Sequence, residues 1–530
     1  MGSAMALAAV IALAGSPSPA SSQSLEKRIE EYLDPFLQTG NFSGSVLVGR
    51  DGKVLFSKSY GYANIEGKAP NTPNTSFHLA SVSRVVTSIA FMRLVEQGRV
   101  STDDPLSKYL PEWPRGDEIT IHHLLTLSAG FPNINSMPGY GLWQRSPQTP
   151  STLVEKFRDK PLEFEPGTQT AHSNSNYNVL ALLIEKISGL SFGEFLEKEI
   201  FAPLEMKRTG HDGDSTYAGP DWALGYRPDG MANVVPMGDI DWSVKSGNGS
   251  LYSTTEDLYR LDRALASERL LGKAAQKKMF TPYFQGSAYG WFNLERFGSP
   301  EIYISGISPG FGAYWGRSVD SDVTVIVLGN TYNGVCYTIG RDLIAMELGE
   351  PFEPAAMISD RPDPALLEEF AGSYKFGPDF YLPNGTVRIT VRDGHLYNQG
   401  YWLMPTTHGK ETFQHRRYWS LLEFKRDELG KVVELKYDNF IGRRIERMVP
   451  QGGLEPPTLA FSVMSFVLRR VVAYPDSNLH WPNRALSCQP VSNRGPPFFF
   501  HLSDPRIRSA ATQAPGAIID HPIRRPARTF

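Results

Sequence analysis

Phe77-His78-Leu79-Ala80-Ser81-Val82-Ser83-Arg84 opens a segment that the spacing predicts as helix from Ser81 to about Glu96. Val82, Val85, Val86, Ile89 and Met92 form one apolar stripe, and Phe91, Leu94 and Val95 cover another side. A helix apolar on most sides is a buried one. Gly98 closes it as a C-terminal glycine. Ser81 therefore stands at the start of a core helix, where free N–H groups and positive potential suit a nucleophile that generates an oxyanion. The same position also suits an ordinary N-cap serine, and helix signals alone do not choose between the two.

The chain has 530 residues, of which 41% are apolar, enough for more than one core. A formal net charge of -3 gives no general attraction to nucleic acid or anionic membrane. The two cysteines, Cys336 and Cys488, fit neither a metal spacing nor a disulfide framework. Ala4 to Ala14 is apolar over the length of a signal core, with Ser18-Pro19-Ala20 as a cleavage point, although no basic residue precedes Lys27. Residues 1–24 are thus expected to direct export, to a periplasmic or secreted location. No later segment is long and apolar enough for a membrane helix.

From about Leu25 to Gly349 the pattern is mixed α and β. Leu25 to Leu37 is an amphipathic helix, and Gly44–Val48 and Val54–Tyr60 read as strands around the hairpin signal Asp51-Gly52. Strands return at Tyr289–Phe297, Glu301–Ser305, Gly312–Arg317 and Val323–Leu328, before a last helix from about Val335 to Leu348. Strands at both ends with helices between them imply one antiparallel sheet flanked by helices, plus a helical subdomain: an α/β fold. After a Pro-rich link at 350–363, residues 364–449 read as a small β domain, with short strands at Thr386–Val391, His395–Gln399, Leu421–Lys425 and Val432–Tyr437. From 450 onward Pro and Arg dominate and Lys is absent, so 450–530 is expected to be a disordered tail. Its Gly453-Leu454-Glu455-Pro456-Pro457-Thr458 also resembles translated structural-RNA sequence, which would make the tail a gene-end extension.

The order of several short segments carries more than any one of them. After Phe77 to Ser81 come Ile119-Thr120-Ile121-His122-His123-Leu124-Leu125, Ser128-Ala129-Gly130, Pro166-Gly167-Thr168 and Ser173-Asn174-Ser175-Asn176-Tyr177. Pro203-Leu204-Glu205-Met206, Gly249-Ser250-Leu251-Tyr252-Ser253-Thr254 and Ser308-Pro309-Gly310-Phe311 follow. In this order they resemble the serine β-lactamase and penicillin-binding-protein-like hydrolases, class C β-lactamases and family VIII esterases among them. The resemblance covers about Leu25 to Gly349, and the block from Pro364 looks like the small β-barrel extension of many such hydrolases. It implies a β-lactamase/transpeptidase-like fold, a small-molecule acyl or peptide substrate and no cofactor.

The family's catalytic set is Ser-x-x-Lys, Tyr-x-Asn, and Lys-Thr-Gly or His-x-Gly. This chain has Ser81-x-x-Arg84, His172-Ser173-Asn174 and Ile304-Ser305-Gly306 at the matching places. The serine, the amide and the glycine are kept, while every group that handles protons or charge is changed. Arginine keeps its proton in ordinary sites, so Arg84 supplies charge but not a base. His172 can be neutral and basic near pH 7, the more so beside Arg84. The expected catalytic group is therefore Ser81, Arg84 and His172. Asn174, Ser305, Gly306 and Ile307 are expected to meet substrate, the backbone N–H groups of Ser81 and Ile307 forming an oxyanion hole.

Two functions stay open on this basis. One is ester hydrolysis through a Ser81 acyl-enzyme with His172 as base, esters being favoured over β-lactams because Ile304 removes the cation for a substrate carboxylate. The other is a catalytically inactive homologue whose cleft binds a peptide, acyl or cell-wall fragment. His122-His123 lacks ligand partners at metal spacing and reads as structural. Tyr177 falls at a core position of the family pattern, and Asp241 and Glu256-Asp257 read as loop and helix-start acids.

Overall fold

The computed structural model describes residues 24–445, apart from 214–220, 231, 285, 356–362 and 383. Residues 1–23 of the signal-like segment, half of the link and the tail with Cys488 lie outside the described residues. Six strands form the main sheet: β1 (Gly44–Arg50), β2 (Lys53–Tyr60), β3 (Phe292–Arg296), β4 (Ser299–Ser308), β5 (Phe311–Ser318) and β6 (Val323–Gly329), in the order β3-β4-β5-β6-β1-β2. The sheet is antiparallel and joins both ends of the α/β region through β1 and β6, with Val48 opposite Val325. At the β1–β2 turn Asp51 and Gly52 both have positive φ (51° and 74°), as the hairpin signal requires.

Central strands read as continuous apolar runs because both sheet faces are covered. β6 is buried at every position. On one face α5 (Val335–Leu348) packs with α1 (Leu25–Gln38). A Cβ at Gly340 of α5 would lie 2.0 Å from the Tyr314 ring, so only glycine lets this helix sit on β5. The other face carries α4 (Thr255–Ala266), where Trp315 Nε1 donates to Asp262, and the helix led by Ser81.

That helix differs from its expected form at its first turn. Ala80–Val82 is a 3-10 turn, and α2 runs Ser83–Glu96. Ser81 makes no capping bond: the N-cap of α2 is Val82, and the Ser83 hydroxyl instead accepts from Leu251 N–H. Within α2 nearly every side chain is buried, Arg84 included.

Beyond the short helix Pro364–Phe370, eight strands close into a barrel. These are β7 (Gly372–Lys375), β8 (Thr386–Arg392), β9 (His395–Asn398), β10 (Tyr401–Thr406), β11 (Gly409–His415), β12 (Leu421–Arg426), β13 (Val432–Tyr437) and β14 (Phe440–Ile445). The barrel is tied to the sheet body by Arg416, which is fully buried. Its guanidinium donates to Asn41 Oδ1 and to the carbonyls of Asp229, Gly230, Thr39 and Gly40.

Candidate active site

Ser81 is held by its backbone. Ala80, directly before it, has a φ of 48°, a region L-residues enter at a cost. A Cβ at Gly306 would lie 2.4 Å from Ser81 N and 2.9 Å from its Cβ, so β4 touches the turn because residue 306 is glycine. β3 ends its pairing at Phe292 opposite Tyr303, so the β4 edge from Ser305 onward is left to the Ser81 turn. Among the described residues Ser81 Oγ makes no hydrogen bond.

Strand alternation sorts the rest of this motif. Ile304 and Gly306 share the Ser81 face, opposite Trp315 and Ala313. Ile304 is fully buried in the core, with no group to offer a ligand. Ser305 and Ile307 pair with Tyr314 and Gly312 on the face covered by α5. The Ser305 hydroxyl is buried there without a hydrogen-bond partner, so Ser305 and Ile307 face the Ser81 side only through their backbone.

Arg84, His172 and Asn174 do come together. The Arg84 guanidinium donates to Asn174 Oδ1 and lies 5.3 Å from the Tyr177 ring centre. Asn174, at the N-cap of α3 (Ser175–Ser188), is fixed in turn, its Nδ2 donating to Asn135 Oδ1 (3.1 Å) and its backbone N–H to Asn133 Oδ1 (3.2 Å). Arg84 Nη2 is 3.4 Å from His172 Nδ1 and 3.3 Å from Nε2. Near-equal distances to both ring nitrogens put Nη2 over the imidazole face, because an in-plane approach between them would collide with Cε1–H. The in-plane lone pair of His172 is thus not spent on Arg84.

Among the described residues no hydrogen bond joins Ser81 Oγ to His172. Burial first, then the charges of Arg84 and Lys245, hold the His172 pKa well below that of a free histidine. His172 is therefore neutral at pH 7. Burial lowers the Arg84 guanidinium to about 10, which leaves it cationic there.

Other candidates resolve into structure. Tyr177 donates to the Leu125 carbonyl (3.2 Å) from the core, and its phenol is raised to about 12 by burial. His122 Nδ1 meets Tyr289 Oη at 2.7 Å and His123 Nδ1 accepts from Thr120 N–H. No cluster that could hold a metal ion occurs among the described residues. Asp241 caps the turn Trp242–Lys245, and Asp257 accepts from Arg208 N–H and Thr209. Burial raises the Cys336 thiol to about 12, which rules it out as a thiolate nucleophile at neutral pH. Lys245, which no motif marked, is 5% exposed and close enough to His172 to act on its charge. Its only sequence signal is a lysine in the Gly-rich approach to Gly249.

The Beta-lactamase family model matches residues 25–345. The chain belongs to the Beta-lactamase family. It is 32% identical over 306 residues to the Bacillus subtilis (strain 168) protein named "Putative penicillin-binding protein PbpX", covering 57% of this chain and 74% of that one. Among solved structures it is similar to the octameric penicillin-binding protein homologue from Pyrococcus abyssi (TM-score 0.56, 25% identity, 79% of this chain and 98% of that one). It is also similar to the penicillin binding protein from Bacillus halodurans (TM-score 0.52, 26% identity, 61% and 99%). These matches make the fold that of the Beta-lactamase serine hydrolases, and the match to the Pyrococcus protein extends past the family domain. No helix among the described residues is long and apolar enough to cross a membrane.

Proposed function

We propose that the cleft over Ser81 hydrolyses acyl esters through a Ser81 acyl-enzyme, with His172 as the base. The observation that carries this reading is the contact of Gly306 with the Ser81 backbone, made while Ala80 is held at positive φ. Backbone strain of this kind costs on the order of 1–3 kcal/mol and persists where surrounding structure enforces it, commonly at functional sites. The edge of β4 that β3 leaves unpaired then offers the Ile307 N–H beside that of Ser81 to a carbonyl oxygen.

Ser81 Oγ adds to the carbonyl carbon as its proton passes to an in-plane nitrogen of neutral His172. Collapse breaks the bond to the alcohol, which leaves with that proton. Water, deprotonated by the same imidazole, then cleaves the acyl-serine and restores both groups. Arg84 is a fixed cation that keeps His172 neutral before the reaction.

A second reading, a cleft that binds an acyl or peptide fragment without turnover, is favoured by the missing Ser81–His172 bond. Labelling with a fluorophosphonate separates the two. The hydrolase reading expects the parent to label, and Ser81→Ala and His172→Ala to lose labelling; a parent that never labels between pH 5 and 9 leaves the binding reading. The pH profile adds a sign. The base is the neutral imidazole and its pKa is depressed, so the rate should stay level through pH 6–7 and fall only at lower pH. A drop centred near 6.5 would mean a histidine outside this cluster.

A further inference from the structure

Removal of the third-motif cation by Ile304 leaves β4 with no charge to offer a ligand, but another wall of the cleft carries one. Lys245 ends the turn Trp242–Lys245 and is only 5% exposed, and among the described residues its ammonium has no hydrogen bond and no carboxylate partner. Asp241, at the other end of the turn, is occupied by Ser243. Its stem is packed against the protein while Nζ keeps accessible surface, so the ammonium can meet an arriving anion.

Three observations place Lys245 at the Ser81 cleft. It acts electrostatically on His172. A Cβ built on Gly249 would meet Lys245 Cβ at 3.5 Å and the carbonyl oxygen of Ala80 at 3.6 Å, so the lysine stem is one residue's width from the chain leading into Ser81. Its Nζ lies 5.4 Å from the centre of the Tyr140 ring. Tyr140 begins the short helix Tyr140–Trp143, reached from the Asn133–Asn135 loop that holds Asn174. That helix is fastened to the Lys245 turn by Asp241 N–H to the Gln144 carbonyl (2.9 Å). The Tyr140 hydroxyl is itself buried and has no hydrogen-bond partner.

An ammonium with no carboxylate partner and a buried phenol with no hydrogen-bond partner are two donors on one wall. Two donors match an acceptor with two oxygens and one negative charge. We infer that Lys245, with Tyr140 beside it, binds a carboxylate of the ligand, so that the preferred substrates of the cleft are acyl compounds carrying a free carboxylate. The inference rests on the cleft over Ser81 being the ligand site, but not on turnover there. It changes the substrate preference expected from the third motif alone: the cation is relocated rather than lost.

Calorimetric titration with N-acetylglycine and its neutral amide, N-acetylglycinamide, tests this without requiring catalysis. The parent should bind the carboxylate at least ten-fold more tightly than the amide. Lys245→Met should erase that preference while changing amide binding by less than two-fold, and Lys245→Arg should retain most of it. Tyr140→Phe should weaken carboxylate binding several-fold. Equal binding of both probes by the parent, or no binding of either, overturns the inference. So does an unchanged preference in Lys245→Met, or its loss in Lys245→Arg as well when both variants melt like the parent. Fluorophosphonate labelling on the same samples reports the hydrolase reading separately: labelling without carboxylate preference sinks this inference alone, and preference without labelling sinks the hydrolase reading alone.

Discussion

Arg84 and Arg416 are both fully buried, and burial lowers the guanidinium of each to about 10. They differ in what surrounds them. Arg416 is met by five oxygens, four of them backbone carbonyls, drawn from the end of α1, the loop after it and the Asp229–Gly230 turn. Those acceptors are part of the chain path and have no second use. Arg84 meets an amide oxygen, the face of an imidazole and a phenol ring. Such groups bind, rotate and exchange protons. One buried arginine fastens a barrel to a sheet, and the other holds charge beside the imidazole proposed as the base.

Making the same substitution at both places should separate these roles. Arg416→Lys leaves a single nitrogen to serve five acceptors, and each buried acceptor left unpaired costs about 1–3 kcal/mol. A loss of about 2–5 kcal/mol is expected in denaturant unfolding, with labelling of the folded fraction unchanged; a variant as stable as the parent would break the comparison. Gly306→Ala drives a methyl to 2.4 Å from Ser81 N. It should cost about 1–3 kcal/mol, as overpacking does, and slow fluorophosphonate labelling at least ten-fold. Arg84→Lys should cost about 1 kcal/mol or less, since few fixed acceptors lose a donor, yet raise labelling about ten-fold, because a buried lysine can surrender its proton where arginine cannot. Unchanged labelling there would mean that His172 already meets the need for a base. Ala80→Gly is the smallest change. It relieves a positive φ and should add about 0.5–1 kcal/mol of stability, with labelling unaffected.

The sheet was legible because each of its strands carries its own signal. Val46-Leu47-Val48 and Val323 to Leu328 are apolar runs too short for helices, and Asp51-Gly52 names its turn. Half of the barrel was not. Gly409–His415 and Phe440–Ile445 alternate weakly, and Tyr401–Thr406 carries Pro405, which argues against a strand until the bulge beside it is seen. Within the site, residue types in order were enough to bring Arg84, His172 and Asn174 together. Two features were beyond the sequence. The side of β4 that Ser305 faces depends on register with β5, and the nearness of Lys245 depends on a loop with no period to read.

The closure of the barrel bears on how this molecule meets other chains. A closed sheet exposes no unpaired strand edge, so its eight strands offer no template for intermolecular pairing. The main sheet does have edges, and β2 is one of them, with Val54 and Leu55 about half exposed. There Lys53 begins the strand, a bulge at Val48/Gly49 twists its neighbour, and Lys58 is held by Glu26 and Glu30 of α1. Charge and irregularity at that one edge guard against aggregation, where the barrel relies on geometry alone.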